Sequence, residues 1–170
     1  MNTNIINSIF FPRKSIAPTD DKDFLVNVSD KDSVGVRFFL KDKSFYNILF
    51  FHGNGELAKE YDSIAEIYNS FGYNLIVADY RGYGLSTGLP TRDNLHTDAI
   101  KIFDQVKYIL SSRDYKSKFF VMGRSLGSAS AWEICDKREN SFDGCIIESG
   151  FATESFFFDL FAISGDSVPF

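Results

Sequence analysis

A chain of 170 residues, 44% hydrophobic and 24% charged, is long enough to bury one sizeable core, and it reads as a single domain. Its formal net charge of -5, with no basic run, excludes a nucleic-acid-binding surface. Residues 1–11 hold no Lys or Arg and only a short apolar group before Pro12, so neither a signal peptide nor a membrane span is expected, and the cytoplasm is the default location.

In chain order, residues 24–28 and 34–40 read as two paired strands around the turn-rich Ser29-Asp30-Lys31-Asp32-Ser33. Residues 46–51 form a nearly continuous apolar run, which suits a strand buried on both faces of a parallel sheet. That run delivers the loop His52-Gly53-Asn54-Gly55-Glu56. Leu57, Tyr61, Ile64, Tyr68 and Phe71 then recur at spacings of four and three, which predicts one amphipathic helix capped by Gly72.

Residues 74–79 predict another buried strand, running into Tyr80-Arg81-Gly82-Tyr83-Gly84-Leu85-Ser86-Thr87-Gly88, where the glycine density forbids regular structure. Leu95, Ala99, Ile102, Val106, Ile109 and Leu110 mark a second helix. A fifth strand begins near Lys118, a third helix spans 126–137, and residues 144–148 form a sixth strand. Strands alternating with helices of this size imply an α/β domain: an open, mostly parallel sheet with helices on both faces. Cys135 and Cys145 lack the spacing of a zinc or redox pair and read as small buried hydrophobes.

The fifth strand ends abruptly in Gly123-Arg124-Ser125-Leu126-Gly127. Glycines two before and two after Ser125 let the backbone turn tightly from strand to helix, leaving the hydroxyl at the strand's end as a nucleophile elbow. The following helix would direct free N–H groups and its positive dipole end at that point, which suits acyl transfer. Gly82-Tyr83-Gly84 lacks the third glycine of a dinucleotide fingerprint, and no cofactor or metal is expected.

With these three motifs in this order, the sequence resembles the alpha/beta hydrolase superfamily, in its serine aminopeptidase-like branch, over roughly residues 10–151. The resemblance implies Ser125 as nucleophile, the backbone N–H groups of Asn54 and Leu126 as oxyanion hole, and a supporting role for His52, Gly53 and Arg81. It implies a small-molecule or peptide acyl substrate, with an ester, thioester or amide cleaved.

In that family the acid and the histidine follow the serine, yet here no histidine follows Ser125. His52 belongs to the oxyanion loop and His96 to a helix, so each has a duller reading than general base. Glu148 could be a triad acid but reads better as a solvated strand terminus. A serine hydroxyl without a base is a poor nucleophile. The expectation is therefore a truncated form, incomplete after the sixth strand, with residues 151–170 as the start of a lid or a flexible tail. Its alternative is a non-catalytic, hydrolase-like module acting in binding. The apolar Phe156-Phe157-Phe158, Leu160, Phe161 and Ile163 suggest self-association through 151–170.

Overall fold

The protein is described from a computed structural model covering residues 10–17 and 19–150. In chain order the elements are β1 (Asp23–Asn27), β2 (Ser33–Phe39), β3 (Tyr46–Phe51), a 3₁₀ turn (Ala58–Tyr61) leading into α1 (Asp62–Ser70), and β4 (Tyr73–Ala78). After these come α2 (Arg92–Ser112), β5 (Phe119–Arg124), α3 (Gly127–Lys137), a 3₁₀ turn (Glu139–Ser141) and β6 (Gly144–Glu148). The strands form one sheet in the order β1-β2-β4-β3-β5-β6. β1 and β2 are antiparallel to their neighbours at one edge, while β4, β3, β5 and β6 run parallel. The self-association and the lid or tail expected at 151–170 lie outside the described residues.

Past Asn47 and Asn74 at their starts, the central strands β3 and β4 are apolar because each face meets a different helix layer. Leu49 and Phe51 of β3, Ile76 and Ala78 of β4, and Phe119 and Val121 of β5 pack with α2 and α3. Their alternates, Ile48, Phe50, Leu75, Val77 and Met122, pack on the other face with Ala58, Tyr61 and Ala65. The strand period of two is thus satisfied twice.

The single helix expected from Leu57 to Phe71 is instead divided. Leu57 is extended, with φ -132° and ψ 143°, and only after the 3₁₀ turn does α1 begin. Two tethers hold the start in place: Ala58 N–H donates to Asp79 Oδ1 at 2.9 Å, and Leu57 N–H donates to Glu60 Oε2 at 3.1 Å. The expected apolar stripe is buried at Leu57 and Tyr61 and partly at Tyr68, but not along its whole length. Ala65 meets the sheet, whereas Phe71 is 75% exposed and Ile64 and Ile67 face outward. A small residue at the contact lets a short helix lie close to the strands. Gly72, at φ 83°, closes the helix as expected.

Arg37, on β2, is 1% exposed and organises the antiparallel edge. It donates to Asp62 Oδ1 at 2.9 Å, Asp20 Oδ1 at 2.8 Å and Asp23 Oδ1 at 2.6 Å, and Lys59 adds bonds to Asp20 and Asp23. The Arg37 and Lys59 hydrogen bonds hold the Asp20 carboxyl below the usual carboxylate range. For Asp23, burial pushes the other way, but its bonds to Arg37, to the Asp20 N–H and to Lys59 outweigh it, and its value too is lowered. A charge buried here is tolerable only because every donor is engaged.

Arg37→Gln should therefore lower stability by about 3 kcal/mol at neutral pH. Carboxyls held low in the native state contribute stability that is complete above the unfolded value of about 3.9 and drains away as pH falls through the native value. The gap between wild type and Arg37→Gln should consequently narrow below about pH 4, measured by urea unfolding across a pH series.

Candidate active site between β3 and β5

Neighbouring strands β3 and β5 send their following helices to opposite faces of the sheet, α1 to one and α3 to the other. The chain therefore parts at their carboxyl ends, the switch point where open α/β sheets form a crevice. Register pairs Phe51 with Gly123, so His52-Gly53-Asn54 and Arg124-Ser125-Leu126 leave the sheet side by side.

Ser125 sits between β5 and α3 with φ 51°, a left-handed conformation that a residue with a β-carbon rarely adopts. Its N–H donates to Glu148 O at 2.9 Å, and its carbonyl accepts from Ser128 N at 2.9 Å and Ser128 Oγ at 2.6 Å. The turn is as tight as the glycines permit. A β-carbon on Gly123 would lie 2.3 Å from Gly127 O, and one on Gly127 would lie 2.0 Å from Phe51 O and 2.9 Å from His52 O. The first residue of α3 thus abuts the end of β3, and the helix's positive end faces the loop after it.

That loop is gripped on both sides of Gly53. Gly53 N–H donates to Glu56 Oε2 at 3.1 Å, and Gly53 O lies 2.8 Å from His52 Nδ1. A carbonyl only accepts, so Nδ1 is the donor. In a trans peptide the C=O and N–H point in opposite directions, so this bond turns Asn54 N–H away from the buried imidazole. His52 Nε2 is in turn 3.1 Å from Asp79 Oδ1. Asn54 Oδ1 accepts from Tyr83 Oη at 2.6 Å and from Phe11 N–H at 3.0 Å, and Arg13 Nε donates to Gly55 O at 2.6 Å. The segment before β1 therefore straps the loop from outside.

Ser125, Leu126, Asn54, His52 and Gly53 are brought together at this edge. Arg81 is turned elsewhere: it holds Asp98 of α2 by two bonds of 2.7 and 2.9 Å and Asp32, in the β1–β2 turn, at 2.7 Å. His96, on α2, faces Glu133 of α3 at 3.1 Å. Among the described residues neither histidine is hydrogen-bonded to Ser125. The Glu148 side chain is exposed at the end of β6, as a solvated strand terminus would be. Burial, and then the neighbouring Cys135 thiol, pushes the Cys145 thiol up and away from nucleophilic use. No group of described residues could hold a metal ion, and no described helix is long and apolar enough to cross a membrane.

Glu56 and the Phe11–Arg13 strap were not singled out as site residues from sequence. Glu56 was visible only as the residue ending the loop motif, with nothing to say that it folds back over Gly53. The strap gave no signal, because the Phe11 amide and the Arg13 guanidinium reach partners more than forty residues along the chain.

Residues 43–155 match the family described as serine aminopeptidase, S33. The lysophosphatidylserine lipase ABHD12 of Macaca fascicularis is 34% identical over 110 residues, which cover 61% of this chain and 26% of that protein. The uncharacterized membrane protein YNL320W of Saccharomyces cerevisiae is 37% identical over 84 residues, 49% of this chain and 29% of that one. The chain thus spans only about a quarter of the length of the curated relatives it matches. Among solved structures, a soluble variant of the monoglyceride lipase from Saccharomyces cerevisiae matches with a TM-score of 0.65 at 19% identity, over 82% of this chain and 47% of that one. A CIB-like hydrolase from Thermoplasma acidophilum gives 0.60 at 24% identity, over 78% and 64%. These two likenesses concern the fold.

Because Ser125 carries its β-carbon in the left-handed region, Ser125→Gly should be more stable than Ser125→Ala by about 1 kcal/mol in urea unfolding. Equal stabilities would mean that the turn is not held as described. Gly127→Ala, by contrast, should cost at least about 3 kcal/mol, since its methyl has no space against the Phe51 carbonyl.

Proposed function

This chain belongs to the serine aminopeptidase S33 family, within the alpha/beta hydrolases, and on that premise we propose that it is an acyl hydrolase whose nucleophile is Ser125. The observation that carries the proposal is the left-handed backbone at Ser125, set between the end of β5 and the amino end of α3, beside the loop after β3. Asn54 N–H and Leu126 N–H are the proposed donors to the oxygen that becomes negative when the hydroxyl attacks a carbonyl. Fixed donors at such a point stabilise the developing charge without reorganising. The substrate is proposed to be an ester, thioester or amide, and the lipase names among the relatives favour a carboxylic ester. A small-molecule or peptide substrate and a cytoplasmic location are proposed with it.

The proton of Ser125 needs an acceptor, and both histidines have carboxylate partners of their own. The 170 residues thus supply the nucleophile and the electrostatic part of the reaction. What this leaves is residual catalysis, on the order of 10³–10⁴-fold over water where a triad member is missing. The same observation favours a second reading, a hydrolase-like module that binds without turning over.

Incubation with an alkyl fluorophosphonate, followed by peptide mass spectrometry, separates the two. The acyl-hydrolase reading expects a slow adduct on Ser125, absent from Ser125→Ala, with at most feeble p-nitrophenyl ester turnover. No adduct above that of an unstructured serine peptide would leave the binding reading. Brisk ester turnover abolished by Ser125→Ala would mean that a base reaches Ser125 after all.

A further inference from the structure

One carboxylate touches both loops that meet at the crevice. Glu56 Oε2 accepts the Gly53 N–H at 3.1 Å and the Tyr61 hydroxyl at 2.5 Å, while Glu56 Oε1 is paired with Arg124 Nη2. Gly53 precedes Asn54 directly, and Arg124 precedes Ser125 directly. Burial, and then the Glu56 carboxylate, pushes the Tyr61 phenol up, so it remains a proton donor to Glu56. The carboxylate lies close against the backbone of residue 53: a β-carbon there would be 2.9 Å from Glu56 Oε1.

We propose that Glu56 is a positioning residue that sets the loop after β3 in register with the elbow, an inference resting on the reading of Ser125 as nucleophile. Its two oxygens are held rigidly with respect to one another, so the Gly53 amide and the Arg124 guanidinium cannot separate without breaking one of the bonds. Asn54 N–H and Leu126 N–H then keep a fixed spacing about the point where a carbonyl oxygen would sit. Displacements of about 1 Å at such points can change rates by up to about a hundredfold. The pair is only partly buried, Arg124 at 41% and Glu56 at 24% side-chain exposure, so its contribution to overall stability is small while its effect on geometry is direct.

Glu56→Gln retains the shape and an acceptor for Gly53 N–H but removes the charge that holds Arg124, and Arg124→Gln removes the other partner. In the full 170-residue chain, each variant should slow fluorophosphonate capture at Ser125 by about tenfold, and the double variant should be no slower than either single one. Arg124→Lys should recover part of the rate, and the thermal midpoints should stay within a few degrees of wild type. Capture by Glu56→Gln at the wild-type rate, or single effects that multiply in the double variant, would overturn the proposal. If wild type itself forms no adduct, the nucleophile reading fails, and amide hydrogen exchange then decides this inference alone. Exchange at the hydrogen-bonded Gly53 and Ser125 amides about tenfold faster in Glu56→Gln supports it, and unchanged exchange overturns it.

Discussion

Two absent β-carbons govern where everything else at the crevice can stand. With hydrogen in place of a side chain at Gly127, α3 begins in van der Waals contact with the last carbonyl of β3, and at Gly123 the strand passes beneath the same helix. Any larger residue would push α3 outward and carry Ser125 with it. The left-handed turn at Ser125 follows from that closeness, since the chain must reverse from strand to helix in a single residue. Its strain, of order 1–3 kcal/mol, is sustained by the ladder bond to Glu148 on one side and the Ser128 bonds on the other.

The second organising group is the buried carboxylate of Asp79, where β4 ends. It accepts from Ala58 N–H and faces His52, and it is packed so closely that a β-carbon on Gly84 would lie 2.1 Å from its Oδ2. A carboxylate out of water needs such partners. Here the Ala58 N–H belongs to the 3₁₀ turn before α1 and His52 to the loop after β3, so enclosing the buried carboxyl and shaping the loop are one arrangement. His52 is absorbed into it, both ring nitrogens occupied, which explains why a histidine beside a candidate nucleophile is not offered as a base.

The strands and helices were readable because apolar runs bounded by glycines can be satisfied in few ways, and 46–51 could only lie between two layers. Gly123, Ser125 and Gly127 suggested the elbow because their spacing falls at the end of an apolar run and follows the glycine-rich loops after the third and fourth strands. Less was readable where one side chain chooses among partners far along the chain. Arg37 occupies a polar position in β2 that alternation would place in water, yet three carboxylates close over it. The apolar stripe correctly set Tyr61 and Tyr68 against the sheet but also counted Ile64 and Phe71, which are exposed, while the close contact of Ala65, which periodicity weighs least, went unnoticed. Glu56 gave no hint of its direction, since that depends on Arg124, 68 residues later.

That separation bears on when the crevice can take shape during folding. The loop after β3 is held by Phe11 from 43 residues upstream, by Tyr83 from 29 residues downstream, and by Arg124 from farther still. None of these is a local contact, and each must be reached across a closed loop whose entropy is spent before the bond forms. On a ribosome, the β3–α1–β4 unit can assemble while the loop still lacks its partner from the elbow. Its final geometry must wait for residue 124 to emerge, so the crevice is among the last parts of the described fold to be completed.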